Sequence, residues 1–190
     1  MNGMGGNDTY YVTAGDVLQD SGGNDTVMAG VSWALASGYE NLTLLTGATD
    51  GSGNSAANVI QGNAANNTLR ARDGNDTVTG GGGNDFFDFT TAPSAANADT
   101  ITDFATVDQL RFEDGAFTAI GATGTWAAGD ARFWSGAGVT GGHDADDRVV
   151  YNTSTGALYY DADGSGAGAA VLVATLQGTP AVSATDISVI

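Results

Sequence analysis

Four nine-residue segments follow one another without a break: GNSAANVIQ (53–61), GNAANNTLR (62–70), ARDGNDTVT (71–79) and GGGGNDFFD (80–88). Ile60, Leu69, Val78 and Phe87 share one phase. Asn58, Asn67, Asp76 and Asp85 share another, two places earlier. A period of nine fits neither a helix of 3.6 residues per turn nor an alternating hairpin. It fits a solenoid in which six residues turn and three form a strand. Gly, Asn and Asp fill the turning part, and these residues accept left-handed backbone and carry oxygen donors. In the strand part, as in Thr77-Val78-Thr79, one apolar side chain points inward between two that point outward.

Two further copies lie upstream. GMGGNDTYY (3–11) matches the whole nonapeptide and DSGGNDTVM (20–28) most of it, with Asp8 and Asp25 separated by 17 residues, close to two periods. Successive turns of a flattened solenoid alternate sides, so turns two repeats apart stack. Asp8 is therefore expected over Asp25, Asp76 beside Asn58, and Asp85 beside Asn67. Carboxylates so placed repel each other unless a cation lies between them, when they become its ligands. Oxygen donors on glycine-rich turns suit a hard divalent cation, calcium above all.

The charge balance agrees. The chain has 22 acidic residues and five arginines (70, 72, 111, 132 and 148), no lysine, and a net charge of −17. Such a chain lacks the basic surface that nucleic acid or an anionic membrane requires. Self-repulsion and the ordering entropy of 30 glycines together predict a metal-free chain that is largely disordered. Cysteine is absent, which leaves bound metal to act as the staple. The start, MNGMGGNDTYY, has neither the charged nor the apolar segment of a secretory leader, and no stretch approaches a membrane span. Any export address is expected elsewhere.

Around this array the chain changes character. Val31, Trp33 and Leu35 alternate, as do Leu42 and Leu44, which predicts two strands joined by a turn at Gly38, forming wider rungs of the same solenoid. Asp99-Thr100-Ile101-Thr102 echoes Asp76-Thr77-Val78-Thr79 and predicts a last stacked turn. The end of a solenoid needs a cap, and Phe104, Leu110, Phe112, Phe117, Trp126, Phe133 and Trp134 supply one. Residues 148–152 and 157–161 flank Thr153–Gly156 as a hairpin that puts Arg148 opposite Asp161. Asp161 and Asp163, with Asp144, Asp146 and Asp147 near them, form either a second calcium site or an acidic hairpin end partly neutralised by Arg148. His143, the one histidine, reads as a solvated loop residue. The expected fold is all-β: a parallel β-roll or β-solenoid of nonapeptide repeats over residues 1–92, with a β-rich capping region over 93–190.

GGGGNDFFD (80–88) and the core of GNDTV (74–78) resemble the repeats-in-toxin (RTX) family, the haemolysin-type calcium-binding proteins, whose signature is G-G-x-G-x-D-x-U-x with U apolar. The likeness extends to ENLTL (40–44), ANVIQGN (57–63), DTITDF (99–104) and DRVVYN (147–152), which are similar to the serralysin-type C-terminal region. The resemblance implies calcium ions between stacked turns. It also implies export by type I secretion machinery reading an uncleaved C-terminal signal, and Asp186–Ile190 is similar to the family's ending. Family ligands come from the second, fourth and sixth residues of one turn and the first, third and sixth of the turn stacked on it. The sixth residues act through side chains and the others through carbonyls. This implies Met4, Gly6 and Asp8 with Asp20, Gly22 and Asp25; Asn63, Ala65 and Asn67 with Gly80, Gly82 and Asp85; Gly81, Gly83 and Asp85 with Ser94, Ala96 and Asp99; and Asn54, Ala56 and Asn58 with Ala71, Asp73 and Asp76. Asparagine stands where aspartate belongs at positions 58 and 67. Alanine replaces glycine at 56–57 and 64–65. Asn-rich turns that stack as ladders without metal are the alternative there.

The expected function is a calcium-binding module that folds on meeting Ca2+ after secretion to the extracellular space and has no catalytic activity of its own. A fused or upstream catalytic domain, such as a protease, lipase or polysaccharide-modifying enzyme, is the expected partner. A glycan-binding or adhesive module using Tyr11, Tyr39 and Trp126 is the alternative.

Overall fold

The computed structural model describes residues 1–190, and its regular structure is β apart from one 3-10 turn at Ala184–Asp186. A ten-stranded sheet starts at Thr9–Val12 and continues in parallel through Thr26–Ala29, Asn41–Leu44, Val59–Gln61, Thr77–Thr79 and Asp99–Ile101 to Val171–Leu176. It is completed by Ala157–Tyr160, antiparallel to both its neighbours, by Val149–Asn152, and by Phe133–Gly136, which pairs in parallel with Val149–Asn152. Facing it, a seven-stranded sheet runs in parallel through Trp33–Ala34, Asp50–Ser52, Thr68–Arg70, Phe86–Phe89, Gln109–Phe112 and Ile187–Val189. Gly124–Thr125 closes it as an antiparallel edge. From Asn41 to Phe112 the chain visits the two sheets alternately, and the result is a parallel β-solenoid of about eight turns.

Period-nine phasing is what builds the core. Tyr10, Val27, Leu42, Ile60, Val78, Ile101 and Leu176 lie in register across the ten-stranded sheet, and every one is buried. Leu69, Phe87, Leu110 and Ile187 form the facing column, also buried. Each such side chain contributes about 1.5–3 kcal/mol through burial. In the short central rungs the flanking residues point away from the core, as Val59 does at 48% exposure. Residues 29–50 are indeed rungs of the solenoid, with Trp33–Ala34 in one sheet and Asn41–Leu44 in the other.

Asp99–Ile101 stacks on Thr77–Thr79, the expected further turn. Beyond it, Phe112 lies 5.0 Å from Phe89 and 5.0 Å from Phe117, and Phe117 lies 5.1 Å from Tyr160. This aromatic chain covers the last rungs. Phe104, Leu110 and Trp126 join it in the core, with Phe133 packed against it and Trp134 half-buried. The hairpin forms with Val149 opposite Tyr160, and the Asp161 N–H donates to the Arg148 carbonyl at 2.9 Å. Tyr39 and Trp126 are 5% and 3% exposed, so both belong to the core and neither presents a face to a sugar; of the three aromatics only Tyr11 is on the surface.

Candidate metal centres between stacked turns

The strands starting at Thr9, Thr26, Asn41, Val59, Thr68, Thr77, Phe86 and Gln109 are each preceded by an acidic residue or Asn, and the register puts these residues side by side along the two edges of the roll. On the ten-stranded edge the Asp8 N–H donates to Asp25 Oδ1 at 2.8 Å, and the Asp25 N–H to Glu40 Oε2 at 2.9 Å. Further along, the Asn58 N–H donates to Asp76 Oδ1 at 2.6 Å and the Asp76 N–H to Asp99 Oδ1 at 3.1 Å. On the opposite edge the Asn67 N–H donates to Asp85 Oδ1 at 2.7 Å and the Asp85 N–H to Asp108 Oδ1 at 2.9 Å. The pairings of Asp8 with Asp25, Asp76 with Asn58, and Asp85 with Asn67 are those expected from the repeat.

The turn geometry follows the sequence. Before Asp8, Asp76 and Asp85 the backbone is left-handed at two places: Met4 and Gly6, Arg72 and Gly74, Gly81 and Gly83. Glycine at 81 also permits close approach, since a Cβ there would lie 2.1 Å from the Asn63 carbonyl oxygen. The turns before Asn58 and Asn67 contain no left-handed residue, which explains how alanine is accepted at 56–57 and 64–65.

At the first site, residues 4–8 lie against residues 20–25. The Gly6 N–H donates to the Gly22 carbonyl at 3.0 Å, and the Ser21 N–H to the Met4 carbonyl at 2.9 Å. One carboxylate oxygen from each of Asp8, Asp20 and Asp25 falls within 4.8 Å of the others. The Asp20 side chain joins the cluster, where only its carbonyl was expected. It is oriented by the Gly22 N–H and by the Tyr10 hydroxyl, which donates to Oδ1 at 3.0 Å. The Gly22 N–H holds the Asp20 carboxyl below its usual range, whereas burial, with the Asp20 and Glu40 charges, pushes the Asp25 carboxyl up. Asp8 Oδ2 and Asp25 Oδ2 are buried without any hydrogen-bond partner, and so is Asp76 Oδ2. A buried carboxylate oxygen without a partner is costly, and a divalent cation held by hard oxygen donors removes that cost. The residues present therefore fit calcium. Asp8, Asp20 and Asp25 would hold one ion, and Asp76 with Asp99 another.

The third expected set is corrected. Asp99 stands beside Asp76, on the opposite edge from Asp85, so Ser94, Ala96 and Asp99 do not face Gly81, Gly83 and Asp85. Fourteen residues separate Asp85 from Asp99, but they make only one half-turn, because residues 90–98 form a longer loop. The true neighbours of the 80–85 turn are Asp108 and Asp103. The Asp103 carboxylate accepts the Gly80 and Gly81 N–H groups at 2.8 Å each. Neither acid was expected as a site residue, although Asp108 is detectable as the acid 23 residues after Asp85, the spacing that separates Asp76 from Asp99. In the fourth set Asn58 does meet Asp76, while Asp73 is exposed.

In the second set residues 62–67 do stack on 80–85, with the Gly82 N–H donating to the Asn63 carbonyl at 2.9 Å. The side chains, however, are already engaged. Asn67 Oδ1 accepts the Asn63 N–H at 2.7 Å and Asn63 Oδ1 accepts the Ala65 N–H at 2.8 Å. Their amide nitrogens face the turn at residues 45–49.

The acidic end of the hairpin is likewise occupied. Asp161 Oδ2 accepts the Gly142 N–H at 2.9 Å, Asp163 Oδ2 the Gly168 N–H at 2.9 Å, and Asp147 Oδ2 the N–H groups of His143 and Asp144. The Arg148 guanidinium reaches the carbonyls of Ala119, Ala145 and Asp147 and does not neutralise Asp161. His143 is solvent-exposed over more than half its side chain, but stacks on Trp134 at 4.5 Å.

Residues 2–31 and 52–87 match the RTX calcium-binding nonapeptide repeat, in four copies. No curated protein matches the chain. Repeats of this family bind Ca2+, and their roll is a binding module without catalytic function. Proteins that carry them are typically secreted, and no helix of this structure is long and apolar enough to cross a membrane. By these repeats, and by the acidic turns that its fold stacks against one another, the chain carries RTX-type calcium-binding repeats over residues 2–31 and 52–87.

Proposed function

We propose that this chain is a calcium-triggered folding and export module of a secreted protein. The observation that carries this reading is the set of buried, partnerless carboxylate oxygens on Asp8, Asp25 and Asp76. With calcium scarce, as inside a cell, the acidic turns repel and the roll stays open enough to thread a channel. At extracellular calcium, sites with Kd of about 10⁻⁴–10⁻³ M fill, and binding free energy becomes folding free energy. Residues 1–92, closed by the acidic turns at Asp99, Asp103 and Asp108 from the region 93–190, are the calcium-responsive unit, and the rest of that region is the cap. The ligand sets are Met4, Gly6 and Asp8 with Asp20, Gly22 and Asp25; Asp76 with Asp99; and Gly81, Gly83 and Asp85 with Asp103 and Asp108. The resemblance of Asp186–Ile190 to a type I ending supports that route of export, and a fused catalytic domain is the natural passenger. The chain itself serves folding and transport, not catalysis.

Circular dichroism and gel filtration with calcium and with chelator test the switch. Expansion and loss of strand signal in chelator, reversed by millimolar calcium, are the expected results. A chelator-treated chain as compact and strand-rich as the calcium form refutes it.

A further inference from the structure

The turns of this array are joined in two chemically different ways. Asn54 Nδ2 donates to the carbonyls of Ala36 and Tyr39 at 2.8 and 2.7 Å, and Asn58 Nδ2 to those of Tyr39 and Glu40 at 3.1 and 3.3 Å. On the opposite edge Asn63 Nδ2 donates to Leu45 and Ala48 at 2.9 and 2.8 Å, and Asn67 Nδ2 to Ala48 and Thr49 at 3.3 and 3.4 Å. The sequence separations are 18, 15, 19 and 18 residues on both edges. Two edges that repeat the same four bonds hold a built motif. The oxygen end of each amide is also used: Asn58 Oδ1 accepts the Asn54 N–H and Asn54 Oδ1 the Ala56 N–H, as Asn67 and Asn63 do nine residues later. No side-chain polar atom of these four residues is left buried without a partner, in contrast to Asp8, Asp25 and Asp76.

A neutral amide with two N–H donors spanning two carbonyls gathers the backbone oxygens that an ion would otherwise gather, and it adds no charge that needs compensation. We infer that the gaps joining residues 36–40 to 54–58 and 45–49 to 62–67 take no metal, and that this asparagine-locked segment, about residues 36–70, stays folded without calcium. It is the seed on which the acidic turns at either side close when the ion arrives. The inference rests on the calcium switch proposed above and corrects its all-or-none form. In a stacked array each turn gains from a folded neighbour, so a standing seed removes the nucleation step from calcium-driven closure.

Hydrogen exchange of the full chain, read by mass spectrometry in chelator and in calcium, tests this. Amides in residues 36–70 are expected to exchange about a hundredfold more slowly in chelator than those in 2–31, and calcium should slow the latter. Fast exchange across 36–70 in chelator, with calcium restoring both segments, overturns the seed and leaves the switch standing. Slow exchange of both segments in chelator overturns the contrast and the switch together. The double substitution Asn58→Asp with Asn67→Asp replaces the donor nitrogens by charged oxygens. It should make protection of 36–70 depend on calcium; wild-type protection of this variant in chelator overturns the role given to the amides.

Discussion

Replacing Asp25 by Asn should change stability in opposite directions with and without calcium. Asp25 is fully buried; its Oδ1 accepts the Asp8 N–H at 2.8 Å, and its Oδ2 has no partner. Asparagine is isosteric, so it keeps the first bond and puts an N–H donor where the lone oxygen was. Without metal, the substitution removes one of three charges whose oxygens lie within 4.8 Å, and should stabilise the apo chain by about 1–3 kcal/mol, the usual cost of one buried unsatisfied group. With calcium at about a hundredfold over Kd, a working site contributes about 2.7 kcal/mol. Losing it should shrink the calcium-induced rise in Tm by about 5–11 °C, taking about 2–4 °C per kcal/mol for a chain of this size. Thermal melts of wild type and Asp25→Asn, each in chelator and in calcium, give both quantities. An unchanged calcium increment, or a lower apo Tm in the variant, refutes the assignment of Asp25 as a ligand poised by its own frustration.

Acidity should act in the same sense at the second site. Burial pushes the Asp76 carboxyl up to about 6 and the Asp99 carboxyl up to about 7, the latter also through the neighbouring Asp76 charge. Raised folded-state values mean that protons stabilise the metal-free fold; this contribution is complete below the unfolded value near 4 and is lost as pH rises through about 6–7. Calcium affinity should rise over the same window, so melts across it should slope downward without calcium and level off in saturating calcium, where the bound ion keeps both groups deprotonated. Gly81→Ala should cost at least about 2 kcal/mol in urea titrations whether or not calcium is present, because φ is +96° and the added Cβ meets the Asn63 carbonyl. Arg111→Met should cost about 2–3 kcal/mol, below the usual penalty for breaking a buried pair. Asp88 loses its two-pronged partner at 2.6 and 2.8 Å but keeps Arg70 at 3.1 Å; a loss below about 1 kcal/mol would show Arg70 sufficient.

Where the period is strict, the sequence reveals neighbours as well as elements. Ile60 lies beside Val78 and Leu69 beside Phe87, because nine residues take the chain across the roll and eighteen bring it back. That arithmetic fails where a half-turn changes length: the longer loop at 90–98 carries Asp99 to the edge opposite Asp85, and although Thr90, Thr91, Pro93, Ser94 and Asn97 mark a loop, composition does not say how many half-turns it spans. The asparagines were legible as turn formers and ambiguous as ligands. Which end of an amide faces the gap depends on the carbonyls of a turn 15–19 residues away, beyond what local pattern carries. Tyr39 illustrates a third limit. It sits in a turn, yet the roll is flat enough for its ring to reach inward and meet Tyr10 edge-on at 5.6 Å.

The closing strands of the two sheets set the tempo of assembly. Rungs within the array pair residues 15–23 apart, whereas Ile101 pairs with Leu176 and Leu110 with Ile187, separations of 75 and 77. Loop-closure entropy rises as (3/2)RT ln n, so these contacts cost about 1.3 kcal/mol more to initiate than a standard rung, roughly an eightfold delay. The array is thus a low-contact-order zipper and its lid a high-contact-order clasp. Refolding should be biphasic, the slow phase reporting the clasp and being indifferent to which turns bind an ion.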